Sequence, residues 1–398
     1  MRAGVVGSRS ESVRRANLAA VLRSLQLVGA LTRSELVDRT GLTRSAIGDL
    51  VSELAEIGLV IEEPTGSGGA PGRPSPLVRP TEHVVVLALE VLVDSVAVAA
   101  VALGGVVLVD QRMERPRSRT PVTRTLDDLT RLADGVVAAL PDGTRIQGAA
   151  VAVAGLTRGS DDAVVAAPNI GWREVPLGTL LRQRLDLDDV VRVGNEANLA
   201  ALAESRRGVA AGLANVVYIS GEVGVGGGVI ADGDPLAGGA GFAGEVGHLP
   251  VNPDGRACRC GGVGCWETEI GEGALLRRAG WPEDGGLAAI DEIVRAADAG
   301  GAEVLAALAE HGRWLGVGLA GVVNIFDPDV VVLGGLLGRL CSWLRPMMSV
   351  ELDRRALPAI RERVRIEASS LGRDAPLLGA AEVAWERVLA DPAAVAAV

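Results

Sequence analysis

The chain has no lysine. All 39 basic residues among its 398 are arginine, which together with 53 glycines and abundant alanine and valine reads as the mark of a GC-rich genome, and no mechanism follows from it. Cysteine is scarce as well: Cys258, Cys260, Cys265 and Cys341 are too few and too clustered for the disulfide framework of a secreted protein. Long apolar runs are missing. The longest uncharged one covers residues 95–109, contains Gly104 and Gly105, and falls short of the roughly 18–20 residues that cross a bilayer, so no transmembrane helix is expected. Arg9, Glu11, Arg14 and Arg15 stand where a signal peptide would need its apolar stretch, and the resulting expectation is a cytoplasmic protein without a membrane partner. Net positive charge is absent too, at −11, but the sum hides an asymmetry: residues 1–80 hold ten arginines against eight acids, or +2, which leaves −13 for the rest.

What is present is ample material for a core, with 48% hydrophobic and 22% charged residues, and a length that implies more than one folding unit. In residues 14–28 the apolar side chains Leu18, Val21, Leu22, Leu25 and Val28 recur at three- and four-residue steps, the pattern of an amphipathic helix. Thr32 is placed to cap a second helix over residues 33–40, with Leu36 and Val37 inward. Gly41 supplies a turn, and Thr43 caps a third helix with the stripe Ile47, Leu50, Val51 and Leu54, closed by Gly58. Two short helices joined by a glycine turn, followed by Leu59, Val60, Ile61 and a Gly/Pro-rich loop over 66–76, predict a winged helix-turn-helix and a domain boundary.

Beyond Pro80 the pattern changes to β-rich runs alternating with helices. Strands are expected at 83–89, 95–102, 106–110 and 147–153 with a helix at 125–140. A second series has a helix at 197–209, a strand at 216–220, a glycine-rich turn to Val229, a long helix at 303–326 and a strand at 330–333. The domains expected are therefore a winged helix-turn-helix DNA-binding domain over 1–80 and, over 81–398, two α/β lobes with a cleft between them.

His248, Cys258, Cys260 and Cys265 follow the spacing His-x9-Cys-x-Cys-x4-Cys, and Gly261, Gly262 and Gly264 let the backbone wrap a small ion. Four N/S donors suit a structural zinc with no open coordination position. Cys341 lies elsewhere and reads as a small core hydrophobe. Near the knot stand Glu245 and Glu267, which a structural zinc does not need. Taken singly, either is a solvated surface residue. Together with Asn195 and Glu196 at the start of a predicted helix, and Asn169 before Gly171 and Trp172, they suggest a pocket for vicinal hydroxyls, the way proteins hold sugars.

The order Pro168-Asn-Ile-Gly-Trp172, Asn195-Glu-Ala-Asn-Leu-Ala-Ala-Leu-Ala-Glu204, Val223-Gly-Val-Gly-Gly-Gly228, Glu245-Val-Gly-His248 and the cysteine knot resembles the ROK family of repressors and sugar kinases. The head matches its transcription-factor branch through Arg15-Ala-Asn-Leu18, Thr40-Gly-Leu-Thr-Arg-Ser45, Glu56-Ile-Gly-Leu-Val60 and Gly72-Arg-Pro74. The resemblance spans nearly the whole chain. It implies the two-lobed α/β fold of the actin and hexokinase superfamily, related to ribonuclease H, and an oligomer, a homodimer or homotetramer. It also implies sugar contacts from Asn169, Asn195, Glu245, His248 and Glu267, and zinc held by His248 with the three cysteines.

Against the family's kinases the chain departs at the phosphate hairpin. Where they carry Asp-x-Gly-Gly-Thr it reads Ala88-Leu-Glu-Val-Leu-Val-Asp94, whose bulk and whose Glu90 would crowd and repel a triphosphate. The second turn, Ser220-Gly-Glu222-Val-Gly-Val-Gly-Gly-Gly228, keeps its glycines but adds the negative charge of Glu222. At the kinase base position stands Glu196, one methylene longer than the family's Asp, a misplacement that can cost ~100-fold in rate. Gly334-Gly335 resembles the adenosine-side turn, and on its own is also an ordinary strand-to-helix turn.

For the DNA end, the third helix is the expected reader, with Arg44 and Ser45, then Gly48 and Asp49, toward base edges. Arg73 in the wing suits a minor groove, and Arg14 and Arg15 suit phosphates; each arginine alone also reads as a solvated charge. The expectation is a sugar-responsive regulator, a repressor, binding operator DNA and a monosaccharide or sugar-phosphate effector, with Glu196 among the sugar contacts and no kinase activity. The alternatives are an active sugar kinase with a DNA-binding head, and a regulator answering to a protein.

Overall fold

The computed structural model describes residues 6–64 and 75–395, with side chains from residue 11 onward. It divides into two compact units. The first takes the chain up to Val153, then Gly159–Gly194 and the residues from Ala380 on; the second takes Ala154–Arg158 and Asn195–Gly379.

In the head, α1 (Val6–Val28) buries Leu18, Val21, Leu22 and Leu25, while Val28, at the helix end before Gly29, is 45% exposed. After β1 (Leu31–Thr32), α2 (Arg33–Thr40) opens on a capping box: Thr32 Oγ1 accepts from the Glu35 N–H at 3.2 Å, and the Glu35 carboxylate accepts from the Thr32 N–H at 2.7 Å. Leu36 is buried and Val37 half-buried. Gly41, at φ 69°, turns the chain into α3 (Arg44–Glu56), capped by Thr43 through the Ala46 N–H. Its stripe Ile47, Leu50, Val51 and Leu54 is buried, each worth roughly 2 kcal/mol. Strands β2 (Val60–Glu63) and β3 (Leu77–Pro80) complete a sheet in the order β1-β3-β2, which makes the head a winged helix. Gly72, Arg73 and Pro74 of the wing lie outside the described residues.

The first α/β sheet is built on β4 (Val84–Val91), β5 (Ser95–Ala102) and β6 (Val106–Glu114), an antiparallel meander. Every residue of β4 and β5 is buried, as expected of near-continuous apolar strands covered on both faces. Helix α4 (Val122–Ala138) leads to β7 (Arg145–Val153), which runs parallel to β4. Then come β8 (Leu156–Arg158), the hairpin of β9 (Ala163–Ala167) and β10 (Trp172–Val175), α5 (Leu177–Arg184) and β11 (Arg192–Asn195). The sheet order is β11-β7-β4-β5-β6.

The second unit repeats the plan. After α6 (Glu196–Arg207) come β12 (Val216–Gly221), β13 (Val225–Ala231) and β14 (Asp234–Pro235), antiparallel neighbours. Short helices α7 (Trp266–Ile270), α8 (Glu272–Arg278) and α9 (Gly286–Asp298) precede the long α10 (Ala302–Phe326). Strand β15 (Val330–Gly334) follows, then α11 (Gly335–Arg339), α12 (Cys341–Arg355), α13 (Pro358–Arg361) and β16 (Arg365–Ala368). The order β14-β13-β12-β15-β16, with β15 parallel to both β12 and β16, matches the first sheet strand for strand. The last helix is α14 (Ala375–Ala390). Cys341 is 6% exposed in the core of this unit, the small hydrophobe expected.

The glycine-rich segment to Val229 departs from expectation in extent: the turn is confined to residues 222–224, and from Val225 on the chain is strand. Gly226, Gly227 and Gly228 lie in β13, where a Cβ on Gly226 would come within 2.9 Å of the Ala197 Cβ, one on Gly227 within 2.6 Å of Val246 Cγ2, and one on Gly228 within 2.7 Å of the Ala201 Cβ. The missing side chains admit close approach of α6 and of the 244–246 segment, a use of glycine that leaves the strand intact.

Within the first unit the head is joined to its sheet by a polar seam. Gln26, 2% exposed, donates its amide to both carboxylate oxygens of Glu382, 1% exposed, each at 3.2 Å, and accepts the Gly104 N–H at 2.7 Å. Arg23 pairs with Glu386 through two hydrogen bonds of 3.2 and 2.9 Å, and Arg145 donates to the Ile57 carbonyl at 2.7 Å.

Candidate functional site

In the second unit, the close approach of α6 and the 244–246 segment to β13 gathers carboxylates around one strand. Asn195 is the N-cap of α6: its Oδ1 accepts the Ala197 and Asn198 N–H groups at 2.9 and 3.1 Å, and its Nδ2 donates to the Gly155 carbonyl at 3.0 Å and to Glu196 Oε2 at 2.9 Å. All four capacities of this amide are used inside the protein. Asn195 thereby orients Glu196, whose carboxyl burial pushes up to about 8, with the like charges of Glu245 and Glu222 acting in the same direction. Glu245 precedes a single turn of 3₁₀ helix, Val246–His248, and burial raises its pKa too, opposed by His248. Glu267, in the first turn of α7, accepts from the Cys258 thiol at 3.1 Å, and its other oxygen sits 2.9 Å from where a Cβ on Gly224 would lie. Four of the expected sugar contacts other than Asn195, namely Glu196, Glu245, His248 and Glu267, thus belong to one unit. Asn169 lies in the first unit, half-buried in the turn between β9 and β10.

His248, Cys258, Cys260 and Cys265 meet: their donor atoms all lie within 4.8 Å of one another. Cys258 Sγ is 3.7 Å from His248 Nδ1, and Cys260 Sγ is 3.6 Å from Cys265 Sγ. An ion bonded at ~2.3 Å to thiolates in a tetrahedron has edges of about 3.8 Å, so the set fits. The other imidazole nitrogen, Nε2, lies 3.9 Å from Glu245 Oε2, beyond hydrogen-bond distance. The loop is held from behind. Val251 and Asn252 donate to the Gly264 carbonyl, Gly264 donates to the Arg256 carbonyl at 2.8 Å, and the Trp266 indole, fully buried, donates to the Trp314 carbonyl of α10 at 2.9 Å. The Gly262 N–H lowers the Cys260 pKa while burial raises those of Cys258 and Cys265; a bound cation would draw all three toward thiolate.

On the nucleotide side the expected repulsion from Glu90 needs correcting. Register places Glu90, Ala97 and Arg112 in one row across β4, β5 and β6, and Arg112 ion-pairs with the fully buried Glu90. Its charge is therefore matched within the sheet. Glu222 acts differently. A Cβ on Gly335, at φ 53°, would run into the Glu222 carboxylate, and one on Gly334 into the Tyr218 hydroxyl. Both glycines of that turn make room for the chain's own side chains.

At the head, Arg44 and Ser45 are exposed at the start of α3, and the Arg44 guanidinium makes no hydrogen bond or ion pair among the described residues. Gly48 and Asp49 follow on the same helix. Arg14 is paired with Glu53 at 2.6 Å and Arg15 with Asp391 at 3.4 Å, both still more than half exposed. The seam residues Gln26 and Glu382 escaped the sequence reading because nothing local marks two polar residues 356 positions apart as partners.

The ROK family model matches residues 86–387. The xylose repressor of Bacillus spizizenii is 28% identical over 378 residues, covering 95% of this chain and 97% of its own. A crystal structure described as a ROK family transcriptional regulator, a homolog of the Escherichia coli MLC protein, aligns at TM-score 0.78 with 26% identity, covering 96% of this chain and 97% of that one. A ROK family glucokinase from Streptomyces griseus, crystallised with glucose and AMPPNP, aligns at TM-score 0.66 with 29% identity over 76% of this chain and 99% of its own. With the family matched over most of its length and both sheets following one plan, the chain belongs to the ROK family.

Proposed function

We propose that this protein is a sugar-responsive transcriptional repressor that has given up phosphoryl transfer. The observation that carries the reading is the seam: a helix-turn-helix with its three-stranded sheet is joined to the ROK domain through Gln26 and Glu382, both almost fully buried, so the head is built into the first unit and not strung on a linker. The full-length likeness to a xylose repressor and to an MLC homolog supports the same reading. Arg44 and Ser45 read base edges, with Arg73, Arg14 and Arg15 assisting at the groove and backbone. The sugar meets Glu196, Glu245, His248 and Glu267, with Asn195 setting the Glu196 carboxyl. The metal is a structural zinc on His248, Cys258, Cys260 and Cys265, fixing the loop that carries two of those contacts. Sugar binding changes the relative stability of two arrangements of the regulator, and only one of them fits the operator. With +2 on the head, affinity for DNA relies on two half-sites and hence on a homodimer or homotetramer acting in the cytoplasm. The test is fluorescence anisotropy on a duplex selected by the protein from a random pool, titrated with monosaccharides and their phosphates. At least one sugar should change the affinity tenfold or more; if none does, the effector half of the reading fails.

One observation favours the alternative, a working sugar kinase: a carboxyl lifted to about 8 at the base position lies in the range useful to a general base. Against it stand the bulky side chains at residues 88–94, where the family's kinases carry glycines, and the Glu222 carboxylate beside Gly335. A coupled ADP-release assay decides: hexose-dependent turnover would restore the kinase.

A further inference from the structure

In the first unit, the chain before α4 and the turn between β9 and β10 are tied into one rigid piece. The Thr120 N–H donates to the Ile170 carbonyl at 3.2 Å, and the buried Trp172 indole donates to the Thr120 carbonyl at 2.8 Å. Gly171, at φ 80°, lets the stem of Arg119 cross it: a Cβ there would lie 3.0 Å from Arg119 Cγ. Between these segments is a notch of about 380 Å³, rimmed by Arg119 and Arg173 over the apolar walls of Ile170, Trp172 and Val175.

Neither rim guanidinium makes a hydrogen bond or ion pair among the described residues. Several arginines of the same unit are matched instead: Arg112 is paired with Glu90, Arg117 with Asp94, Arg184 with Asp127 and Arg192 with Asp162. In a chain of net charge −11, two unmatched arginines fixed on one rigid piece are a local reversal of sign. Forked guanidinium donors match the oxygens of a phosphate, and a pair of them balances its two charges better than they balance a single carboxylate. The volume falls within the roughly 300–1,000 Å³ of small-ligand sites.

We propose that this notch is a second ligand site, which takes the phosphate group of a small molecule on Arg119 and Arg173. It goes beyond the effector reading above and does not need it, since all its lining residues belong to the first unit and its test reads binding directly. Equilibrium dialysis of the full chain is carried out with labelled inorganic phosphate, glucose 6-phosphate and glucose, for the wild type, Arg119→Met, Arg173→Met and, as a control at the carboxylates, Glu267→Gln. Methionine keeps the stem over Gly171 and removes the charge, and circular dichroism checks that each variant is folded. Saturable binding of inorganic phosphate weakened tenfold or more by either methionine and not by Glu267→Gln, or saturable binding of glucose 6-phosphate weakened tenfold or more by either methionine, supports the site. Equal affinity for the two anions names free phosphate as the ligand, and a clear preference for glucose 6-phosphate names a sugar phosphate. Absence of saturable binding of either anion overturns the proposal, as does binding indifferent to both methionines. A loss of operator affinity in the variants without phosphate binding would overturn it in favour of a DNA contact.

Discussion

Replacing Glu196 by glutamine should make the protein more stable above neutral pH, by an amount that grows with pH. The carboxyl is half-buried at the start of α6, accepts Asn195 Nδ2 at 2.9 Å, and has Glu245 and Glu222 as charged neighbours. Burial is the main cause that carries its pKa from 4.5 to about 8. A carboxyl whose folded pKa is raised contributes its full stability below the unfolded value and loses it as pH climbs toward the folded one, because the unfolded chain releases the proton first. Linkage over that interval gives a loss of roughly 3.5 kcal/mol between about pH 5 and about pH 8, or ~1.4 kcal/mol per pH unit at the steepest. Glutamine carries no charge at any pH, and its carbonyl can still accept from Asn195, so the variant escapes this loss. Urea unfolding at pH 5, 6, 7 and 8, followed by tryptophan fluorescence, measures it: the gap between variant and wild type should widen steadily with pH. Parallel curves, separated by a constant difference, would mean an ordinary carboxyl and refute the burial argument. The same titration bears on function. Protonated, the group can donate a hydrogen bond to a sugar oxygen; ionised, it can accept one from a sugar hydroxyl.

Three further outcomes follow from the other parts of the molecule. Arg44→Ala should weaken operator binding by roughly ten- to a hundredfold, the ~1–3 kcal/mol of a base-edge contact, and leave sugar binding measured by calorimetry unchanged. Cys258→Ser should bring zinc content, measured by elemental analysis, from about one per chain toward zero and lower the melting temperature; full zinc with an unchanged transition would count against the knot. Gln26→Leu removes the amide that stands between Glu382 and the Gly104 N–H, and should cost about 2 kcal/mol in urea unfolding of the first unit. Operator affinity should become less responsive to sugar in that variant, read from the anisotropy titration with and without the ligand.

Local signals were legible because their causes are local. Thr32 with Glu35, Thr43 with Ala46, and the stripe of Ile47, Leu50, Val51 and Leu54 were all readable, since a cap or an amphipathic face is decided within a few residues. The four metal-site donors were readable for a similar reason, three of them falling within eight residues on one loop. What pairs with what across the fold was not. Glu90 looked like an exposed obstacle to phosphate until strand register set Arg112 beside it, and register is a property of three strands together. Asn195 looked like a sugar ligand because its type and position suit one, while the hydrogen bonds that occupy it come from α6 and from the Gly155 carbonyl, forty residues away.

The glycines of 226–228 carry the same lesson into the function. As a string they signal a turn; in the structure they are straight strand, and what they share is a neighbour too near for a Cβ. Those neighbours are Ala197 and Val246, each next in the chain to a carboxylate or one removed from it, Glu196 and Glu245. The absence of side chains on β13 therefore sets how near two acidic groups approach, and that approach, with burial, holds the Glu196 carboxyl near 8. A bulkier residue at Gly227 would have to displace Val246 and the Gly244 carbonyl, pushing Glu245 and its neighbour His248 outward together. Gly227→Ala should accordingly lower the Glu196 pKa, weaken sugar binding and loosen the metal site at once, whereas an effect on only one of the three would mean that the strand does not organise the site as a unit.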